Sequence, residues 1–157
     1  MTHSKETSLE EVLKWRKLLQ RKKKRLVMTC GCFDGLHPGH LQLLSRARTQ
    51  GDALLVALTT DLSVTKLKGP QRPRVPWTRR SEQLLQSSLA ERILPLPDAN
   101  ASKLLSLLKP GVFFKGADYN INTLIPVERQ AIDSYQGEIV FSPLLPDWST
   151  TRMIQNL

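Results

Sequence analysis

Apolar residues in this chain fall into short dense runs, separated by longer stretches in which they recur every three or four positions. That is the pattern of buried strands alternating with amphipathic helices. The dense runs are Leu26 to Gly31, Ala53 to Thr59, Arg92 to Leu96, Val112 to Lys115 and Glu138 to Ser142. The second is apolar at nearly every position, as expected of a parallel strand covered on both faces. Helical spacing runs from the Ser8-Leu9-Glu10-Glu11 capping signal to about Gln20, and from Pro38 to about Gln50. It returns at about Thr78 to Leu89, Ala101 to Leu108 and Pro126 to Tyr135, and Ser149 reads as the N-cap of a final helix. Between Asp61 and Trp77, prolines at 70, 73 and 76 predict a stiffened loop. Strand and helix alternate about five times, which predicts a three-layer α/β domain on a parallel sheet, with ligands beyond the carboxyl ends of the strands.

Composition narrows the partners. The 157 residues carry 23 Lys and Arg against 14 Asp and Glu, a net charge of +9, which favours anionic ligands. One basic run, Arg21 to Arg25, reads as a solvated connector. The other comprises Lys66, Lys68, Arg72, Arg74, Arg79 and Arg80, with no acid between Leu62 and Ser81. A nucleic-acid-binding module is the rival reading of this charge. The scarcity of aromatics beside the basic residues, and the convergence of the second cluster on one strand edge, argue against it. No apolar run is long enough to span a membrane, and the polar segment from Met1 to Glu11 does not read as a secretory signal. The expectation is a cytoplasmic protein with no membrane partner, whose Cys30 and Cys32 are reduced.

The densest chemistry lies in GCFDGLHPGH (31–40), which holds two of the three histidines. Pro38 at the first helical position makes His37 an N-cap, so His37 and His40 sit at the positive end of a helix, a setting for a phosphate chain. Cys30, Cys32, His37 and His40 also mimic a zinc set, but their spacing across a strand and a helix entry is poor for one metal. Lys66 and Lys68 follow the second strand and are expected to project over the same edge from a mobile loop. Gly116 and Asp118 leave the fourth strand, and Ser149, Thr150 and Thr151 open the last helix with three hydroxyls and unpaired N–H groups. A P-loop motif is absent, as are paired carboxylates and a nucleophile–base set.

Taken in order, GCFDGLHPGH (31–40), TDLSVTKLKGPQRP (60–73), KGADY (115–119) and STTRMI (149–154) resemble the nucleotidyltransferases of the H-x-G-H superfamily, in its cytidylyltransferase-like branch. KGPQRP with KGADY most resembles the adenylyltransferase domains of bacterial ADP-heptose synthases. Cys30 stands where that group usually has Asn, and Gly35 where it has a larger aliphatic. Leu144 stands where glycerol-phosphate cytidylyltransferases have Arg, which counts against CTP.

The resemblance implies a Rossmann-like fold with a five-stranded parallel sheet. Residues 1–25 would form an N-terminal helix and basic connector, and 26–157 the catalytic domain. It implies AMP transfer from ATP, with Mg²⁺, to a sugar 1-phosphate such as D-glycero-β-D-manno-heptose 1-phosphate. FMN or glycerol 3-phosphate, with ATP or CTP, remain alternative substrates. His37, His40, Lys68 and Lys66 would be catalytic. Cys32, Phe33, Asp34, Gly39, Arg80, Gly116, Asp118, Ser149, Thr150 and Thr151 would bind the nucleotide. A homodimer is a further expectation, with Leu9, Val12, Leu13 and Trp15 packing on the chain's own core or on a second copy.

Overall fold

All seven residues of the strand Ala53–Thr59 are buried, so this strand lies inside a sheet covered on both faces. The computed structural model describes residues 8–116 and 123–142. Among them five strands form one sheet: β1 (Leu26–Gly31), β2 (Ala53–Thr59), β3 (Arg92–Leu96), β4 (Val112–Lys115) and β5 (Glu138–Phe141). Every pairing is parallel, in the order β3-β2-β1-β4-β5. The chain builds outward from β1 through β2 to β3, then returns to the other side of β1 for β4 and β5. The order therefore reverses between β1 and β4, and a crevice is expected beyond their carboxyl ends. Pro95 is accommodated because β3 is an edge strand.

The helices cover both faces. On one side, α1 (Leu9–Arg21), α5 (Ser102–Leu108) and α6 (Pro126–Ser134) bury Val12, Leu19, Leu105 and Ile132 in a core with Leu26, Leu55 and Phe113. On the other, α2 (Pro38–Arg48) and α4 (Trp77–Gln86) bury Leu44, Ala47 and Leu84 against Val27, Val56 and Phe114. Ser8 Oγ caps α1 by accepting the Glu11 N–H at 3.2 Å. Arg16 anchors the helix by donating to the Leu108 and Lys109 carbonyls, both at 2.8 Å. No helix among the described residues is long and apolar enough to cross a membrane.

One expected element differs. The first half of the proline-rich loop is a helix, α3 (Asp61–Lys68). Thr60 caps it by accepting the Ser63 N–H. Asp61 in its first turn and Lys66 and Lys68 in its last complement the helix dipole. Gly69, at φ 106°, then ends it. The three prolines all come after that glycine, so none removes a donor from α3. Asp118, Ser149 and the expected final helix lie outside the described residues.

Leu55 is fully buried where β2 meets the α1/α5/α6 layer. Leu55→Ala is expected to cost about 2–5 kcal/mol, measured as a lower urea midpoint.

Candidate active site

The turn after β1 feeds directly into α2, and two histidines join them. His37 is the N-cap, with extended backbone (φ −130°, ψ 171°), and Pro38 follows at the first helical position. His37 Nδ1 accepts the N–H groups of Gly39 at 3.0 Å and His40 at 3.3 Å. His40 Nδ1 in return accepts the His37 N–H at 3.3 Å. This is a reciprocal capping box in which imidazoles replace the usual hydroxyl and carboxylate. The rings stack with centroids 3.7 Å apart, and Phe33 meets His40 edge-on at 5.2 Å.

These bonds assign the tautomers. An Nδ1 that accepts cannot carry the proton, so in each neutral ring the proton is on Nε2. A second proton would set a donor against a backbone donor. Burial lowers the pKa of His37. For His40, burial acts first, with the charges of His37 and Lys68 adding, against an opposing bond to the Gly35 backbone. The net result is a pKa pushed down to about 4. Both rings are therefore neutral at pH 7, each with an Nε2–H. The tight path of the turn shows in Phe33 at φ 45° and Gly35 at φ 90°, the second of which only glycine adopts without strain.

Two residues expected to contact the nucleotide instead hold the surrounding chain. Arg80 is fully buried. Its Nε donates to the Val75 carbonyl, one Nη to the Cys32 and Thr59 carbonyls, and the other Nη to Asp61 Oδ1, all at 2.6–2.8 Å. The guanidinium fork is thus committed to ending β1 and β2 and starting α4. Asp34 accepts from Arg72 Nε at 2.7 Å and from the Arg74 and Val75 N–H groups at 2.9 Å. Burial alone would raise its pKa. The bonds from Arg74, Arg72 and Val75 outweigh burial and hold the carboxyl below its usual value. Asp34 thus ties the segment after α3 to the turn after β1. Gly39, another expected nucleotide contact, is buried and gives its N–H to His37.

Beyond the carboxyl ends of β1, β2 and β4 opens a cleft of about 450 Å³. Cys32, Phe33, Asp34, His40, Lys68 and Gly116 line it. His37 stacks on His40 but does not line the cleft, and Lys66 is exposed outside it. Asp118 and Ser149 to Thr151 are not among the described residues.

The cleft also brings in residues that sequence reasoning missed: Thr29, Asp98, Asn100, Lys115 and Glu128. Lys115 is buried, its Nζ 3.5 Å from Glu128 Oε1 and 3.9 Å from Cys30 Sγ. Burial, only partly opposed by Lys115, pushes the Cys30 thiol up to about 11, so it is neither a thiolate nucleophile nor a ready metal ligand at pH 7. Glu128 had a signal in the sequence. It sits three and four residues before Ala131 and Ile132, on the face of α6 that is buried.

The cytidylyltransferase-like family model matches residues 28–156. The bifunctional protein HldE of Pseudomonas syringae pv. tomato is 37% identical over 135 residues, which are 86% of this chain and 28% of that protein. Its counterpart in Koribacter versatilis is 35% identical over 147 residues, 94% of this chain and 29% of that protein. The chain therefore spans less than a third of the length of these relatives. Among solved structures, the lipopolysaccharide core biosynthesis protein from Thermoplasma volcanium aligns with a TM-score of 0.62 at 23% identity, over 78% of this chain and 97% of that one. Pantoate-beta-alanine ligase from Francisella tularensis, complexed with beta-gamma ATP and beta-alanine, aligns with a TM-score of 0.57 at 14% identity, over 92% and 71%. At such identities the likeness is one of fold.

The histidine box makes stability depend on pH. The His40 pKa falls from 6.5 to about 4 on folding. Its contribution is therefore complete above pH 6.5 and is lost as pH drops from there towards 4. Urea midpoints are expected to fall across that window, and long-range ¹⁵N–¹H spectra at pH 5.5 to show a neutral His40 protonated at Nε2. A His40 that titrates near 6.5 would contradict the box. Arg80→Ala strands the Val75, Cys32 and Thr59 carbonyls, and is expected to cost about 3 kcal/mol or more in urea unfolding. Unchanged stability with a raised KM for the nucleotide would instead return Arg80 to a ligand-binding role.

Proposed function

This chain belongs to the cytidylyltransferase-like family of nucleotidyltransferases, and we propose that it transfers AMP from MgATP to a sugar 1-phosphate, releasing pyrophosphate. The observation that carries this reading is the pair of neutral imidazoles capping α2, with His40 and Lys68 facing one cleft at the point where the strand order reverses.

The chemistry asks for little more. The nucleophile is an acceptor phosphate oxygen, already anionic at neutral pH, so no general base is needed. It attacks the α-phosphorus of ATP in line with the departing pyrophosphate. A new P–O bond forms as the bond to the β-phosphate oxygen breaks, and the electron pair leaves on that oxygen. The enzyme's task is to align the two phosphates and to stabilise the charge that builds on the five-coordinate centre. In this reading the His40 Nε2–H exchanges the Gly35 backbone for an α-phosphate oxygen, with the neutral His37 holding its ring in place. Lys68, in the last turn of α3, neutralises the leaving pyrophosphate, and Lys66 adds to the field from outside the cleft. The backbone of Cys32 and Phe33, with Gly116, borders the nucleotide. Asp118 and Ser149 to Thr151 complete its site.

Magnesium enters as part of the nucleotide. Among the described residues no three His, Cys, Asp or Glu side chains are placed to hold a metal, and the Asp34 carboxylate already accepts three donors. The ion's ligands would be triphosphate oxygens and water, its usual arrangement in nucleotide sites.

The acceptor reading, D-glycero-β-D-manno-heptose 1-phosphate, is supported by KGPQRP (68–73) and KGADY (115–119) and by the similarity to HldE. A cytoplasmic homodimer without membrane or nucleic-acid partners completes the proposal.

Pyrophosphate release with ATP or CTP and a panel of phosphorylated acceptors tests it. Turnover is expected with ATP and the heptose 1-phosphate. Turnover only with FMN or glycerol 3-phosphate would overturn the acceptor, and polyanion binding with a steep salt slope but no pyrophosphate would overturn the enzyme. His40→Ala should lower kcat by about 10²–10³ with the fold retained, the usual cost of losing one transition-state donor. Lys68→Ala should lose more activity than Lys66→Ala. Near wild-type turnover in His40→Ala would remove it from the mechanism.

A further inference from the structure

Glu128 lines the cleft, but the transfer mechanism above has no task for it. The residue is 1% exposed. Its Oε2 is engaged, accepting the Ala101 N–H at the start of α5 at 2.8 Å. Its Oε1 is ion-paired with Lys115 Nζ at 3.5 Å, yet it is buried and has no hydrogen-bond partner among the described residues. A buried carboxylate oxygen without a donor is costly, and in native proteins such an atom calls for an explanation.

Charge indicates what would satisfy it. The part of the cleft near α2 and α3 carries His40 and Lys68, the groups suited to phosphate, and the Asp34 carboxylate there is already occupied by Arg72 and by the Arg74 and Val75 N–H groups. The wall built from α6 and the segment after β3 carries two carboxylates, Glu128 and Asp98, with Asn100 beside them. Carboxylates repel a phosphate and, being acceptors only, need a ligand that donates. Lys115 neutralises part of the Glu128 charge and holds it in place. A neutral, donor-rich group fits this wall, and a sugar ring with its hydroxyls is such a group.

We propose that Glu128 Oε1 accepts a hydrogen bond from a sugar hydroxyl of the bound substrates, with Lys115 and the Ala101 N–H fixing the carboxylate. Glu128 is then a specificity-determining residue that acts in binding rather than in phosphoryl transfer. This deepens the adenylyltransferase reading and rests on it for the reaction. The hydroxyl belongs either to the ribose of ATP or to the acceptor sugar, and the two sources are separable.

For the folded wild-type chain, binding of ATP, 2′-deoxy-ATP and 3′-deoxy-ATP is measured by calorimetry. Binding of mannose 1-phosphate and its monodeoxy analogues is measured in the same way. One analogue is expected to bind about 10- to 100-fold more weakly than its parent, the worth of a hydrogen bond to a charged group. A nucleotide analogue identifies the ribose, and a sugar analogue the acceptor. Glu128→Gln should abolish that discrimination and raise the matching KM with kcat little changed, leaving the other substrate's KM as it was. Should Glu128→Gln fail to fold, the wild-type analogue series decides alone.

A wild-type chain indifferent to every missing hydroxyl overturns the proposal. So does a folded Glu128→Gln with a lower Tm but unaltered KM values and discrimination, which would make the residue purely structural. Absence of pyrophosphate release from any sugar 1-phosphate would defeat the acceptor reading instead, and the ATP analogue titrations would still test Glu128.

Discussion

Two imidazoles that accept each other's backbone N–H groups determine how this chain leaves its central strand. The His37–His40 box fixes the first turn of α2, and through it the direction of the turn that starts at Cys32. Its requirement is chemical as well as geometric, since both rings must be neutral to accept. A pair of protonated histidines would give a stronger positive field but would oppose its own helix start. The neutral pair keeps the cap, with the one proton of each ring on Nε2. The motif that organises the fold at this point is therefore the same motif that the proposed chemistry uses.

Around that turn the protein places charged side chains where they act on backbone. Arg80 collects the carbonyls that end β1 and β2, and Asp34 collects the N–H groups of the segment leading into α4. Both are buried, and both are satisfied by groups that would otherwise lack partners at the sheet edge. They connect α3 and α4 to the turn after β1, so Lys68 is carried on a capped helix whose flanks are tied down. An ordered cation has less freedom to lose when it meets a triphosphate than one on a mobile loop. Lys66, two residues earlier on the helix, is exposed and does not line the cleft.

The cleft has two electrostatic characters. Lys68 and the neutral His40 occupy one part, while Glu128 with its partner Lys115, Asp98 and Asn100 occupy the other. A site for phosphate alone would have no use for the second part. The division matches a reaction between two phosphorylated molecules that also carry sugars, in which the phosphates meet and the sugars extend outward.

All five strands were legible from runs of apolar residues, and the start of α2 from Pro38 following His37. Strand period, helix period and caps are properties of a few neighbouring residues, and here they agreed with one another. The prolines at 70, 73 and 76 misled because their effect was extended backwards across Gly69, into a segment with its own N-cap at Thr60. The partners of long charged side chains were not legible. Arg80 reaches Cys32 across 48 positions, and Lys115 reaches Cys30 across 85. Nothing local distinguishes such an arginine from one that awaits a phosphate. The sequence by itself determined the alternating elements, the histidine cap and the family of chemistry, because each is written in short-range spacing. Only the tertiary structure decided which charges face the cleft and which bind backbone. Those contacts depend on strand order and on which helix layer covers which face of the sheet.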